Sequence, residues 1–335
     1  MFKPTKLKSL VAVAGACVAM FASAPASAYV YALSELRIQN FVLDIQPTAV
    51  TTIGQFTFDL TNTASLNGIN AASSASCGGS MFANNCGVSP VLDATVVNAP
   101  GSTISRAENS FAFLGADNVN TYSNSDSVIT TAELVTGTPT ALNQVAESLL
   151  NINGRARANS EIQSNTGLNV SFSVVGGPAT LNLSFLADPD QRAQINGAIG
   201  AYLAQSNLNA SVTLTNNTTG GVINWTPRGS AFNDCSVSGS TSTCVETFDS
   251  ANLNRNVSTG TNPSTFDNSY EVADNFERFG ILVSNLEAGD YTVALNALTS
   301  TSITRAVPEP GSLALIGLAF LGLGFGASRR QNKQG

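Results

Sequence analysis

The sequence contains no histidine. Catalysis of the Ser-His-Asp and Cys-His types therefore lacks its general base, and mixed Cys/His zinc sites and two-His iron sites lack their ligands. Glycoside hydrolysis by paired carboxylates remains chemically possible because it needs only Asp or Glu. No pattern in the sequence selects two such residues, so we predict a protein that is not an enzyme and holds no cofactor and no metal.

Lysine is almost absent as well. Its four copies stand at positions 3, 6, 8 and 333, so none lies in the long central part of the chain. Between Tyr29 and Val307 there are nine arginines and 21 acidic residues, a net charge of −12 compared with −7 for the whole chain. Such an acidic body disfavours nucleic acid as a partner.

The amino-terminal residues have the order of a secretory signal peptide. Three lysines precede an apolar run over residues 10–21, and small residues follow it. Signal peptidase accepts small side chains at the first and third positions before the cut, a rule that Ala26 and Ala28 satisfy. We predict a helical signal peptide over residues 1–28 and export through the Sec translocon. A lipoprotein acceptor at Cys17 is the alternative, disfavoured because the usual upstream leucine is missing.

The carboxy-terminal residues repeat this arrangement in reverse. The short motif Val307-Pro308-Glu309-Pro310 comes first. An uncharged apolar stretch over residues 313–327 follows, and then a basic cluster that contains Arg329, Arg330 and Lys333. The stretch has 15 residues, fewer than the ~20 of a typical transmembrane helix, which suits a temporary anchor with its cations in the cytoplasm. An ordinary single-pass anchor and a buried terminal helix are the alternatives.

This combination resembles the PEP-CTERM sorting signal. The resemblance implies a sorting segment over residues 306–335 with a transmembrane helix, and an exosortase that cleaves near the Pro-Glu-Pro. It also implies a Gram-negative host that makes extracellular polysaccharide. The expected location is first an inner-membrane-anchored precursor and then the cell surface or the extracellular space.

Cysteine usage fits export to an oxidising compartment. Four cysteines lie in the body, and eight residues separate Cys77 from Cys86 and also Cys235 from Cys244. We favour these two local disulfides, although four cysteines allow three connectivities. A four-cysteine zinc site is disfavoured because zinc knuckles have two to four residues between ligands.

Period-two alternation of apolar and small polar residues is the main structural signal of the body. It is clearest at residues 168–174 and 181–185, which flank Gly176-Gly177-Pro178 and predict a hairpin. Similar alternation occurs at 56–60, 210–214 and 291–295. We predict that residues 29–305 form an all-β, antiparallel β-sandwich or jelly-roll-like domain.

Other segments lack this alternation. Residues 142–150 and 191–203 have weak helical periodicity, and residues 64–90 and 233–264 are predicted to be loops with little order. The Ser/Thr-rich stretch at 297–305 is either a stalk or the last strand.

Carboxylates cluster in two places, at Asp188-Pro189-Asp190 and at Glu271, Asp274 and Glu277. Such clusters are usually solvated turns, and bound calcium is the alternative. The lone Trp225 lies in an alternating segment, which predicts packing in the core rather than stacking on a sugar.

Several body segments are similar to the EDSAP family of PEP-CTERM proteins. They are residues 106–111, the two alternating strands at 168–174 and 181–185, Asn224-Trp225-Thr226-Pro227, and residues 286–292. The resemblance brings no catalytic residues with it. We predict a non-enzymatic surface or matrix protein associated with extracellular polysaccharide or biofilm. A carbohydrate-binding module and a glycoside-processing enzyme are the alternatives.

Overall fold

A computed structural model describes residues 29–47, 51–80, 83–84, 91–116, 120–130, 140–151, 157–196, 201–260, 263–267 and 275–306, with Gly317 and Phe320. The described body is all-β, and its strands form two antiparallel sheets. The strands are β1 Tyr29–Gln46, β2 Thr51–Leu66, β3 Ile69–Ser80, β4 Ala83–Asn84, β5 Val91–Asn98, β6 Tyr122–Thr130, β7 Thr140–Asn151, β8 Arg157–Val174, β9 Ala179–Asn196, β10 Ala201–Asn216, β11 Val222–Trp225, β12 Cys235–Ser238, β13 Thr243–Asp249, β14 Asn256–Thr259, β15 Ser264–Asp267, β16 Glu277–Leu286 and β17 Gly289–Ala306.

The two sheets pack face to face as a sandwich. Sheet A has the order β13-β16-β9-β1-β7-β6-β5, with β15 beside β9. Sheet B has the order β12-β11-β10-β17-β8-β2-β3-β4, with β14 beside β10. The prediction of an antiparallel all-β domain is confirmed, and the Ser/Thr-rich stretch at 297–305 is part of the last strand, β17.

The core lies between the sheets and receives every second side chain of the long strands. Leu208, Val212 and Leu214 of β10 point into it together with Leu181 and Leu183 of β9. This alternation is the expected result for strands with one buried and one solvated face.

Trp225 lies in this core, as predicted. Its side chain is fully buried, its ring centroid lies 5.8 Å from that of Phe185, and Phe185 in turn stacks on Phe279. A buried indole has no face left for a sugar, so Trp225 cannot act as a carbohydrate platform in this conformation.

The predicted hairpin between residues 168–174 and 181–185 is wrong. The first segment belongs to β8, which pairs with β17 and β2 in sheet B. The second belongs to β9, which pairs with β1 and β16 in sheet A. Gly176-Gly177-Pro178 therefore carries the chain across the core from one sheet to the other, and alternation alone does not distinguish such a crossover from a hairpin.

Both predicted helices are wrong as well. Residues 142–150 form most of β7, and the described residues of the second segment, 191–196 and 201–203, belong to the end of β9 and the start of β10. Strand β7 is buried on both faces, so it has no polar face to give the sequence a period of two.

The predicted loops are also more ordered than expected. Residues 64–90 contain β3, and residues 233–264 contain β12, β13 and β14. Their side chains are mostly Ala, Ser, Thr and Asn, residues with a weaker strand signal than the β-branched and aromatic types.

The disulfide between Cys235 and Cys244 is confirmed, with 5.9 Å between the two Cα atoms. It joins β12 and β13, the adjacent end strands of sheets B and A. Cys77, in β3 near the opposite end of sheet B, is also disulfide-bonded. Its predicted partner, Cys86, lies outside the described residues, between β4 of sheet B and β5 of sheet A.

Two predicted segments fall largely outside the described residues. They are the signal peptide, with its cleavage residues Ala26 and Ala28, and the sorting segment that begins with Val307, Pro308, Glu309 and Pro310. Within the described part of the chain, no helix has both the length and the apolar character needed to cross a membrane. The predicted transmembrane helix over residues 313–327 is represented there by Gly317 and Phe320 alone.

Candidate functional site

The outer face of sheet A is partly apolar and is covered by its own chain. Tyr31 and Leu33 of β1 form a cluster there with Val145 and Leu149 of β7. The described residues of the connection between β5 and β6, 99–116 and 120–121, lie over this cluster, and we call them the cap segment. Its contributions are Ala116 and the partly buried Ile104, Phe111, Phe113 and Leu114.

Glu147 of β7 holds the cap segment in place. Its carboxylate accepts hydrogen bonds from the hydroxyls of Tyr31 at 2.8 Å and Tyr122 at 3.0 Å. It also accepts bonds from the backbone N–H groups of Leu114 at 3.0 Å and Gly115 at 2.9 Å. The guanidinium of Arg106 pairs with the same carboxylate, and both charged side chains are fully buried.

Arg106 is also held by the end of β5 and by the cap segment. Its backbone N–H donates to Asn98 Oδ1 at 2.8 Å, and its guanidinium donates to the backbone oxygens of Ser110 and Ala112. Residues 106–111, which carry part of the EDSAP resemblance, thus fold around one buried cation. The structure gives this motif a role in covering sheet A.

The tyrosines of this network are held in their neutral form. Burial, followed by the nearby negative charge of Glu147, raises the pKa of Tyr31 and of Tyr122 well above the ordinary tyrosine value. Both hydroxyls therefore keep their protons at physiological pH, and the single proton of Tyr122 is shared between Glu147 at 3.0 Å and the backbone oxygen of Gly115 at 2.8 Å. Sequence reasoning did not identify Glu147, because it lies in a segment predicted to be helical.

A second buried group of charges lies farther along the same outer face. Glu35 of β1 stands opposite Asp190 of β9, and Arg37 stands opposite Asp188. The guanidinium of Arg37 lies 2.6 Å from Asp188, 3.3 Å from Glu35 and 3.6 Å from Asp190. The ring of Phe276 covers Arg37, with 5.7 Å between the guanidinium carbon and the ring centroid.

The interpretation of Asp188-Pro189-Asp190 as a solvated turn is therefore wrong. Both aspartates lie within strand β9 and are at most 1% exposed. A proline and two acids resemble a turn in sequence, but here Arg37 on the neighbouring strand compensates the buried charge. In the other predicted cluster, Glu277 begins β16, and Glu271 and Asp274 lie outside the described residues.

Burial changes the ionisation of two carboxyls on this face. It raises the pKa of Glu35 to about 8, against the opposing effect of Arg37. It also raises the pKa of Asp126 to about 6, although the backbone N–H of Asn109 donates to that carboxyl. The paired acids Glu35 and Asp190 are 1% and 0% exposed, so neither is accessible to a substrate in this conformation.

Three further carboxylates, Asp234, Glu246 and Asp249, have oxygens within 4.8 Å of one another. The protein already donates hydrogen bonds to all three. Asp249 accepts the backbone N–H groups of residues 228–230, and Glu246 accepts the indole N–H of Trp225. Asp234 accepts the hydroxyl of Ser230 at 3.0 Å. These bonds explain the cluster as a support for the turn between β11 and β12. Sequence reasoning did not single it out.

The outer face of sheet B differs in chemistry from that of sheet A. We call the outward side chains of β2, β3, β8, β17, β10 and β11 the polar face. Among its described side chains the charged ones are Asp59 and Asp290, none is aromatic, and most are Asn, Ser or Thr. Outward Asn, Ser and Thr side chains of this face include Thr57, Thr61, Asn169, Ser171, Asn209, Thr213, Asn224, Thr292, Asn296 and Ser300.

Hydrogen bonds between neighbouring strands order this polar face. Asn169 donates to Thr57 at 3.2 Å, Asn207 donates to Ser300 at 3.2 Å, and Thr213 donates to Asn224 at 2.6 Å. Strands in a sheet lie about 4.8 Å apart, so the amides and hydroxyls form regular rows. The arrangement provides many neutral donors and acceptors at fixed positions.

Residues 306–330 match the PEP-CTERM protein-sorting motif. The chain carries a PEP-CTERM sorting signal. The match includes Val307, Pro308, Glu309, Pro310, Arg329 and Arg330, and it confirms the resemblance predicted from these residues. It is consistent with an exosortase substrate and implies a secreted, exosortase-processed protein. No curated protein and no solved structure matches the chain, and the similarity to the EDSAP family stays a prediction.

We expect stability to fall as the pH rises through the range set by Glu35. Between its ordinary value of 4.5 and about 8, the folded protein keeps the Glu35 proton while the unfolded chain loses it. The folded state binds more protons there, so raising the pH favours unfolding. The contribution is complete below pH 4.5 and is lost above pH 8. Arg37, Asp188, Asp190 and Arg106 are the charges that act on this carboxyl.

The measurement is thermal unfolding of wild type and Glu35→Gln at several pH values. The neutral amide should flatten the decline and raise the midpoint at pH 8 by several degrees, since about 1 kcal/mol corresponds to roughly 2–4 °C in a domain of this size. Glu108→Gln, at an exposed position of the cap segment, should leave the slope unchanged. Identical slopes for wild type and Glu35→Gln would show that Glu35 ionises normally.

Proposed function

We propose that this protein is an exported, exosortase-processed component of the cell surface or extracellular matrix, without enzymatic activity. Its body contacts extracellular polysaccharide through the polar face of sheet B. The observation that carries the delivery is the sorting motif at residues 306–330, and the ordered rows of neutral amides and hydroxyls support the role of the body.

Delivery proceeds in two cuts in this proposal. Signal peptidase removes residues 1–28 after Sec export, and the apolar stretch at 313–327 then holds the precursor in the inner membrane. The basic residues Arg329 and Arg330 stay in the cytoplasm, as the positive-inside rule requires. An exosortase cuts near Pro308 and frees the body. The disulfide between Cys235 and Cys244 is consistent with an oxidising destination.

The chemistry of the polar face favours a hydrated, hydroxyl-rich partner. Amide and hydroxyl groups can exchange their hydrogen bonds with water for hydrogen bonds to sugar hydroxyls, at a small net gain for each bond. An individual contact is therefore weak, and affinity requires many of them along a polymer. The uncharged central rows also avoid the repulsion that the acidic body, with its net charge of −12, would otherwise exert on an anionic polymer.

The delivery proposal is tested by mass spectrometry of the protein recovered from cells and medium, with and without the exosortase of the host. Loss of residues 1–28 should occur in both strains, because it does not depend on the exosortase. Cleavage near Pro308 should occur only where the exosortase is present. Intact carboxy termini in both strains would refute the sorting proposal, and a retained amino terminus would refute the signal peptide.

The polysaccharide contact is tested with the purified extracellular polysaccharide of the host and the secreted protein. The double variant Asn209→Ala/Asn296→Ala removes two exposed amides from neighbouring strands of the polar face. At about 0.5–1.5 kcal/mol for each hydrogen bond, we expect roughly 10-fold weaker binding in co-sedimentation. Asn182→Ala removes an exposed amide from sheet A and is the matched control. Equal binding by wild type and double variant would contradict the assignment of this face.

A further inference from the structure

Phe232 is the most exposed large apolar side chain in the described part of the chain. It lies in the connection between β11 and β12 and is 81% exposed, so its ring adds little to the core. Single exposed apolar side chains are common on protein surfaces, and the exposure of Phe232 does not by itself indicate a site. The second observation is the structure of the connection that carries it, residues 226–234, which we call the β11–β12 turn.

Asp249 of β13 fixes the first part of the β11–β12 turn. Its carboxylate accepts the three consecutive backbone N–H groups of residues 228–230, at 2.7 to 3.2 Å. Gly229 has a φ of +65°, and a Cβ atom there would lie 2.8 Å from the backbone of Ala251. Only glycine fits such a position without strain, so the backbone that leads to Phe232 is closely determined.

The hydroxyl of Ser230 fixes the backbone of Phe232 itself. It accepts the N–H of Phe232 at 3.3 Å, and it lies 3.0 Å from the backbone oxygen of Phe232 and 3.0 Å from the carboxylate of Asp234. The single hydroxyl proton is shared between these two acceptors. One neighbouring side chain thus contacts both backbone polar groups of Phe232, and the position of its Cα atom is set from within the turn.

Asn233 attaches the turn to strand β13 on the other side of Phe232. Its side-chain amide donates to the backbone oxygen of Cys244 at 2.9 Å and accepts the N–H of Glu246 at 3.0 Å. The disulfide between Cys235 and Cys244 joins the same two segments immediately after the turn. Bonds before and after Phe232 therefore hold the turn in one conformation, while the phenyl ring projects into water.

A rigid turn with an exposed ring is the arrangement expected of a binding anchor. Binding residues are commonly carried by loops on a rigid scaffold. An aromatic side chain has only two χ angles to immobilise, so its association with a ligand costs little conformational entropy. The hydrogen bonds of the turn use only the backbone of Phe232, so the fold does not require the phenyl ring.

We propose that Phe232 stacks on a neutral sugar ring of the extracellular polysaccharide. The C–H groups on one face of a pyranose ring lie against the phenyl face, and the hydroxyls at the rim of the sugar stay in water. This inference rests on the proposed contact of the body with polysaccharide and adds an aromatic site to it. The turn follows directly after β11, whose Asn224 belongs to the polar face, so one polymer chain can contact both.

Charge and area favour a sugar over a membrane or a protein as the occupant. The carboxylates of Asp234, Glu246 and Asp249 support the turn, and the body has a net charge of −12, so anionic lipid head groups and acidic sugars are repelled. The turn presents a single aromatic ring. A stable protein interface buries about 1,000 Å² or more, whereas one phenyl ring matches the face of one sugar.

Co-sedimentation of the secreted protein with the purified extracellular polysaccharide of the host tests the site. Phe232→Tyr keeps an aromatic face and should bind within about twofold of wild type, whereas Phe232→Leu is apolar without that face and should bind about 5-fold more weakly. Val175→Ala, at a position 66% exposed in the β8–β9 connection, is the matched control and should bind as wild type. All three should keep the thermal midpoint of wild type, and a lower midpoint of Phe232→Leu would show that the ring serves the fold and would overturn the proposal.

The outcomes separate this site from the polar face. Equal binding by wild type and Phe232→Leu would overturn the stacking proposal, and weaker binding by Asn209→Ala/Asn296→Ala would then leave the polar-face assignment standing. Weaker binding by Phe232→Leu alone would support stacking and refute that assignment. A wild type that does not sediment with the polysaccharide would overturn both. Binding to vesicles of phosphatidylethanolamine and phosphatidylglycerol, or a dimer, that Phe232→Leu abolishes would identify a different occupant and overturn the stacking proposal.

Tryptophan fluorescence gives a direct readout of position 232. Trp225 is the only tryptophan and is fully buried, so the emission of wild type should not change when the polysaccharide is added. Phe232→Trp adds an exposed indole, whose emission should shift to shorter wavelength when a sugar ring covers it. An unchanged Phe232→Trp spectrum at polysaccharide concentrations that bind the protein would contradict the proposal.

Discussion

The ion pair between Arg106 and Glu147 is the interaction on which the covering of sheet A depends. Two charges without access to water are costly unless hydrogen bonds satisfy them, and this pair is surrounded by donors and acceptors from three parts of the chain. Tyr31 and Tyr122 belong to the sheet, while Leu114 and Gly115 belong to the cap segment. The carboxylate of Glu147 thus ties the cap segment to strands β1, β6 and β7, and the apolar cluster beneath it stays dry.

The two outer faces of the sandwich differ in the chemistry of their side chains. Sheet A has aromatic and apolar residues on its outer side and needs a cover, which the cap segment supplies. Sheet B has Asn, Ser and Thr there and needs none, because these side chains bond to one another and to water. Among the described residues, this asymmetry gives sheet B one broad and mostly neutral outer surface.

Sequence patterns predicted the fold class because most strands are exposed on one face, as at Thr57, Asp59 and Thr61 of β2. The same patterns did not predict a strand that is buried on both faces, namely β7. Strand β7 carries Gln144, Glu147 and Ser148 at fully buried positions, so its polar residues suggest a surface helix. The burial of Asp188 and Asp190 was hidden for a related reason, since Arg37, which compensates them, lies 151 residues from Asp188.

The sorting motif could be recognised in the sequence because its residues are contiguous. The residues of the network around Glu147 are far apart in the chain. Arg106 and Glu147 are 41 residues apart in the chain, and Tyr31 is 116 residues from Glu147. No local spacing connects them, and only the pairing of β1, β6 and β7 brings them together. The resemblance to the EDSAP family drew on residues 106–111. The structural role of these residues, the contact of Arg106 with Glu147, becomes visible only when the strands are paired.

A double-mutant cycle on Arg106→Met and Glu147→Gln, measured as the free energy of unfolding, tests the central interaction most directly. Each single substitution leaves a buried polar group without its partner and should cost about 3–5 kcal/mol. The double variant should cost less than the sum by about 2 kcal/mol or more, because the two residues act as a pair. Additive effects of the two substitutions, or single costs as small as that of the exposed Glu108→Gln, would contradict the account.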